Sequence, residues 1–243
     1  MDINIIYKPF GSQAILIEWE SKIEASILDE ILRFKHKIES QKELFYTDLV
    51  VGYHSLTIIY KYAFDNFSKE IEQLKSIEKI DIATKKEINF VWEIPVCYDL
   101  EFGIDLQEMS TNSGLSIDEI VKLHSEKSYP VFFIGFLPGF LYLGGLNEEL
   151  YFKRKANPRL QVAKGSVAIG GKQTGIYPND SAGGWNIIGK TPIRFFDVEK
   201  DNPCFAKAGD QIKFKQISLD EYFQIEKEII ENKYQLLNTK LDA

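Results

Sequence analysis

Cysteine and histidine are scarce in this chain, with two Cys and three His among 243 residues. Cys97 and Cys204 are too few for a disulfide framework and neither has metal-ligand spacing, which favours a reducing, cytoplasmic setting. No apolar run approaches the ~18 residues of a membrane span. The opening MDINIIYKPFGSQ has no basic stretch followed by an apolar core, so neither a span nor a signal peptide is expected. Positive charge is also lacking: the net charge of -7 excludes nucleic-acid binding that rests on bulk charge. Catalytic signatures are absent too: no G-x-S-x-G elbow, phosphate loop, H-E-x-x-H helix or dinucleotide fingerprint. No metal or prosthetic group is expected. The 44% hydrophobic and 27% charged residues suit a soluble globular protein of one large or two modest domains.

What is abundant is glycine in one place. Eleven of the 16 Gly fall between Gly135 and Gly189, interleaved with Tyr142, Tyr151, Tyr177, Trp185, Lys153, Arg154, Arg159, Lys164 and Lys172. Such a density implies turns or close backbone approach. Two readings stand at even weight: a cradle for a small anionic or planar ligand, and a tightly turning β-barrel whose Gly make corners.

Along the chain, Ile3 to Tyr7 and Ala14 to Trp19 read as strands across a Pro9–Ser12 turn. Ile23, Ile27, Ile31, Phe34 and Ile38 recur at helical period. Leu49 to Tyr60 reads as strand, turn, strand, and Phe64, Phe67, Ile71, Leu74 and Ile77 mark a second helix. This order suggests a small ferredoxin-like α+β domain over residues 1–85. The polar stretch around 80–87 is the expected boundary.

In the second part, strands are expected at Ile88–Val96, Val131–Ile134, Ser166–Ile169, Asn186–Ile188, Pro192–Phe196 and Gln211–Gln216. Helices are expected at Ile104–Thr111 and from a capping box at Ser116 and Glu119. Short strands with frequent turns make 86–218 a β-barrel or sandwich-like domain. The tail, 219–243, is expected to be a helix with Tyr222, Ile225, Ile229 and Leu236 on one face.

His124 ends the capped helix just before the Gly-rich stretch, where it could act as a general acid or base; a helix-terminal His stabilised by the dipole is at least as good a reading. Arg154 and Arg159 flank the rigid Asn157-Pro158 turn and suit planar anion contacts, although surface Arg are usually just solvated. Trp185 could stack on a planar ligand or belong to the core. The loop Gly170-Gly171-Lys172-Gln173-Thr174-Gly175 is either an anion nest or, more commonly, a plain turn.

The segments GFLPGFLYLGGL, NPRLQVAKGSVAIGGKQTGIYP, GGWNIIGKTP and AGDQIKF, in this order and spacing, closely resemble the KipI/PxpB family, the B subunits of bacterial ATP-dependent 5-oxoprolinase, also described as allophanate hydrolase subunit 1. The resemblance runs to about Ile217, and His124 matches a His of the family pattern. The chain departs at Leu141, Lys153 and Ala163, where the family usually has Pro, and at Ala182; lost Pro affects loop stiffness rather than chemistry. The resemblance implies an N-terminal α+β domain, a cyclophilin-like β-barrel and a C-terminal helical extension beyond the family core. It further implies partner subunits C and A, 5-oxoproline as substrate, and ATP consumed by the complex, with Arg154, Arg159, Gln173, Tyr177 and Trp185 on the substrate-binding face and His124 as a catalytic candidate. The family also includes an inhibitor of a histidine kinase, so a regulatory role is the alternative.

Overall fold

The computed structural model describes residues 5–41, 44–81 and 88–241. The chain divides into two compact units, Met1–Glu87 and Ile88–Ala243. The boundary expected at 85/86 lies outside the described residues.

The first unit has strands β1 (Ile6–Pro9) and β2 (Ala14–Glu18), helix α1 (Ala25–Glu39), strands β3 (Tyr46–Val51) and β4 (Ser55–Tyr60), and helix α2 (Phe67–Glu78). The antiparallel sheet runs β1-β2-β4-β3. Because β2 and β3 both run antiparallel to β4, they are parallel to each other with one strand between them. They are joined through α1, which makes a split βαβ unit. Relative to the βαββαβ order of a ferredoxin-like plait, the fourth strand stands first. Ile15, Ile17, Leu56 and Ile58 alternate onto the face covered by Ile31, Phe34 and Ile38 of α1 and Leu74 and Ile77 of α2.

The second unit contains β5 (Phe90–Cys97), α3 (Leu106–Ser113), α4 (Ile117–Ser125), β6 (Ser128–Ile134), β7 (Leu141–Leu143), β8 (Arg159–Val162), β9 (Ser166–Gly170), β10 (Gln173–Ile176), β11 (Ser181–Gly183), β12 (Asn186–Lys190), β13 (Gln211–Ile217), α5 (Leu219–Ile230) and β14 (Asn238–Lys240). Eight strands run β12-β9-β10-β7-β6-β13-β5-β14, and β12 also pairs with β5. Seven of them therefore close into a barrel, with β13–β5 as its parallel pair. A separate ribbon, β8–β11, lies outside the ring. The α+β class and the barrel agree with expectation.

Two readings need correction. The Pro192–Phe196 run forms no strand, although Ile193 and Phe195 are buried; Pro192 has no N–H to give a ladder. The tail helix stops at Ile230, with Asn232 in the left-handed region at φ 56°. Leu236 is therefore not on α5, and β14 pairs with Phe90–Trp92 of β5. On that side of β5, β12 meets only Cys97, so the tail covers the edge that β12 leaves open.

Candidate functional site

Alternation along β9 creates two environments. Val167 and Ile169 face the barrel core, whereas Ala168 faces outward into a second cluster with Phe140, Val162, Tyr177, Trp185 and Ile187. This outer cluster gathers most of the residues singled out from the sequence. The indole of Trp185 lies flat on a floor of glycine: a Cβ at Gly170 would stand 2.6 Å from three atoms of the ring, and one at Gly175 would stand 3.2 Å away. A Cβ at Gly183 would collide with the Tyr177 hydroxyl. Here glycine is required by close approach of rings to backbone. Phe140 meets both Tyr177 and Trp185 edge-on, at 5.5 and 5.6 Å between centroids.

Trp185 and Tyr177 are thus buried walls. Arg154 is the exposed member: its guanidinium sits over the indole, 5.4 Å from the centroid, and Nη2 reaches Gln173 Oε1 at a long 3.5 Å. Its loop is tied down on both sides. Asn186 Nδ2 donates to Lys153 O and Ile169 O, Lys155 N donates to Gly184 O, and Gly171 N donates to Phe152 O. This last bond decides the role of the Gly170–Gly175 loop. Gly170 pairs with Gln173, leaving Gly171-Lys172 as a two-residue turn with Gly first, at φ 69°. The Gly171 N–H is spent on the chain, so the segment is a hairpin turn and not an anion nest.

Arg159 is committed elsewhere. Its Nη2 donates to Asp105 Oδ1 at 2.6 Å, where Lys155 Nζ also binds at 3.0 Å, while Asp105 Oδ2 accepts the Ile187 N–H at 2.6 Å. Burial pushes the Asp105 carboxyl up, but the Arg159, Ile187 and Lys155 hydrogen bonds outweigh it and hold the group below the usual carboxylate range. The charge therefore contributes stability above the unfolded carboxyl's value of about 3.9, and that contribution is lost as pH falls through the lower folded value. An Asp105→Asn variant is expected to melt lower than the parent near neutral pH, with the deficit shrinking below about pH 4. Equal deficits at both pH values in thermal melts would contradict this. Asp105 and Asn186, which organise the face, were missed. Asn186 lies inside the GGWNIIGKTP segment, whereas nothing local marks Asp105.

The structure corrects the expectation for His124. It is wholly buried in the barrel, with Nδ1 at 2.8 Å from the Tyr98 hydroxyl, Nε2 at 2.8 Å from Thr174 Oγ1, and its ring stacked on Phe214. The Thr174 hydroxyl donates to Ala168 O, so it accepts from Nε2–H, and Nδ1 accepts from Tyr98. Burial lowers its pKa to about 3. A neutral imidazole with both nitrogens engaged and no path to solvent is a core pin, not an acid or base. Among the described residues, no group of three or more His, Cys, Asp or Glu could hold a metal ion, and no helix is long and apolar enough to cross a membrane. The face offers an anchored, solvent-facing guanidinium beside an amide, with aromatic walls behind. It can bind and orient a small anion, but it carries no nucleophile.

A seven-stranded mixed barrel bearing an external ribbon, with a separate split βαβ unit, is a carboxyltransferase-like architecture. The family model described as carboxyltransferase domain, subdomain C and D, matches residues 5–206. The chain belongs to this family, and within it to the KipI/PxpB group of 5-oxoprolinase B subunits. It is 34% identical over 238 residues to the 5-oxoprolinase B subunit of Bacillus subtilis (strain 168), covering 94% of this chain and 99% of the relative. It is 36% identical over 204 residues to that of Escherichia coli O157:H7, covering 84% and 92% respectively. At 94% coverage about 15 of 243 residues lie outside the first match, fewer than the 25 of the tail, so the tail is not wholly an addition to the family.

Among solved structures, TTHA0988 superposes with a TM-score of 0.72 at 28% identity, covering 85% of this chain but 40% of that one. The chain thus spans less than half of that protein. The conserved uncharacterised protein PH0987 from Pyrococcus horikoshii gives 0.53 at 39% identity, covering 89% of this chain and 100% of that one. Urea carboxylase from Kluyveromyces lactis shares the fold, with a TM-score of 0.74 at 19% identity over 98% of this chain and 24% of that one.

Proposed function

We propose that the chain is the B subunit of an ATP-dependent 5-oxoprolinase, opening 5-oxoproline to glutamate together with subunits C and A, and inactive alone. The observation that carries this reading is the near full-length match to proteins of that name. A site with an anion anchor and no nucleophile of its own agrees with a shared active centre. A lactam is a poor electrophile. ATP supplies a phosphoryl group to the lactam oxygen; one water then adds at that carbon, the C–N bond breaks to free the amine, and a second water releases phosphate. In this scheme the chain's residues bind and orient. Arg154 holds the substrate carboxylate, Gln173 offers its amide beside it, and Trp185 and Tyr177 keep the guanidinium in place and exclude water. Arg159, through Asp105, fixes β8 against β12.

The test is reconstitution. Glutamate release from 5-oxoproline is expected only when this chain, the A and C subunits and ATP are all present. Full release without this chain would refute the proposal.

A further inference from the structure

A cavity of about 280 Å³ opens between the end of β12, the Ala163-Lys164 turn and α5. None of the residues of the Arg154–Trp185 face lines it. Three cations do, Lys164, Lys190 and Arg194, against two carboxylates, Asp180 and Glu226. Both carboxylates are already engaged: Asp180 accepts the Lys164 N–H at 2.7 Å and the Gln161 amide at 3.5 Å, and Glu226 accepts the Tyr222 hydroxyl at 3.3 Å. The Lys190 ammonium instead rests over the rings of Phe102 and Tyr222, 5.1 and 5.8 Å from their centroids. Among the described residues Arg194 meets Asp197 only at 3.7 Å, leaving most of its donors unused. The rest of the lining is Thr191, Tyr222 and the apolar Ala163, Pro192, Ile193, Ile229 and Ile230. Ile230 is 76% exposed, although it is a large aliphatic side chain at the end of an amphipathic helix.

A lining that combines cations with spare donors and branched aliphatics matches an amphiphilic anion. The volume of about 280 Å³ lies just below the range for drug-sized ligand sites, ~300–1,000 Å³, which fits a small metabolite and not a polymer. We propose that this cavity binds a small aliphatic carboxylate of about four to eight carbons. Its carboxylate lies on Lys190 and Arg194, and its chain lies against Ile193, Ile229 and Ile230. Because α5 forms one wall, the ligand fastens this helix to the barrel, and bound ligand raises the melting temperature of the chain by linkage.

Calorimetric titration of the full chain with hexanoate tests the proposal, with acetate as the headgroup control and hexylamine as the cation of equal length. Saturable hexanoate binding in the roughly millimolar range is expected, with acetate weaker by about tenfold and no binding of hexylamine. Arg194→Met and Lys190→Met should each weaken hexanoate by about tenfold or more. Arg194 is exposed, so its variant decides the matter if Lys190→Met disturbs folding. Arg154→Ala should bind hexanoate like the parent, which separates this site from the proposed substrate face. Absence of saturable hexanoate binding up to about 50 mM, acetate binding as tightly, or binding unchanged in Arg194→Met would overturn the proposal.

Discussion

Replacing His124 with alanine is expected to destabilise the protein by about 3–5 kcal/mol and lower its melting temperature by about 10 °C. The imidazole fills the barrel between β10 and β13, strands that are not neighbours. Its removal leaves a cavity against Phe214 and strands the buried Tyr98 hydroxyl without its acceptor. The side chain also carries a pH signature. The folded imidazole titrates at about 3, while the unfolded one titrates near 6.5. Between those values the unfolded chain binds a proton that the folded core refuses. Stability therefore falls as pH drops through this window, by up to ~1.4 kcal/mol per unit. Denaturant titrations should show this slope in the parent and not in His124→Ala. A variant with parental stability, or an activity profile that titrates near pH 6.5 on this residue, would restore the acid–base assignment.

The parts legible in the sequence were those set by local chemistry. The helices of the first unit follow the 3.6-residue spacing of Ile31, Phe34 and Ile38, and the helix after Ser116 is announced by a capping box that the structure forms with Glu119. A second box, Ser218 with Glu221, opens α5 and carries the same signature. Its far end was misplaced because Leu236 fits the period, while the break depends on a single residue, Asn232, turning left-handed. Strands β10 and β14, reading QTGI and NTK, have no apolar alternation; β10 becomes a strand through its hairpin with β9, and β14 through pairing with the distant β5.

The site follows the same division. Arg154, Gln173, Tyr177 and Trp185 do converge, because closely spaced turns return the chain repeatedly to one face of the barrel. The division of labour among them was not legible. Whether an indole offers its face to a ligand or lies on glycine depends on the register of β9 and β10. Whether an arginine is free depends on partners such as Asp105, 54 residues from Arg159. Asp105 engages Arg159 and leaves Arg154 as the proposed anion anchor.

The proposed substrate site therefore turns on one side chain. Arg154 is exposed, stacked on a buried indole and, among the described residues, hydrogen-bonded only by a 3.5 Å contact to Gln173, so its donors remain available. A charge-assisted contact to a substrate carboxylate contributes about 1.5–3 kcal/mol, a factor of roughly 10–150. Lysine keeps the charge but loses the planar fork and much of the stacking, so Arg154→Lys should fall between parent and alanine. As an exposed position, Arg154→Ala should leave the melting temperature within about 2 °C of the parent. The decisive measurement is kcat/KM for 5-oxoproline in the reconstituted complex carrying Arg154→Ala. A fall of at least about tenfold is expected, with the complex still assembled. Parental kcat/KM in an intact complex would contradict the role of Arg154 as the anion anchor.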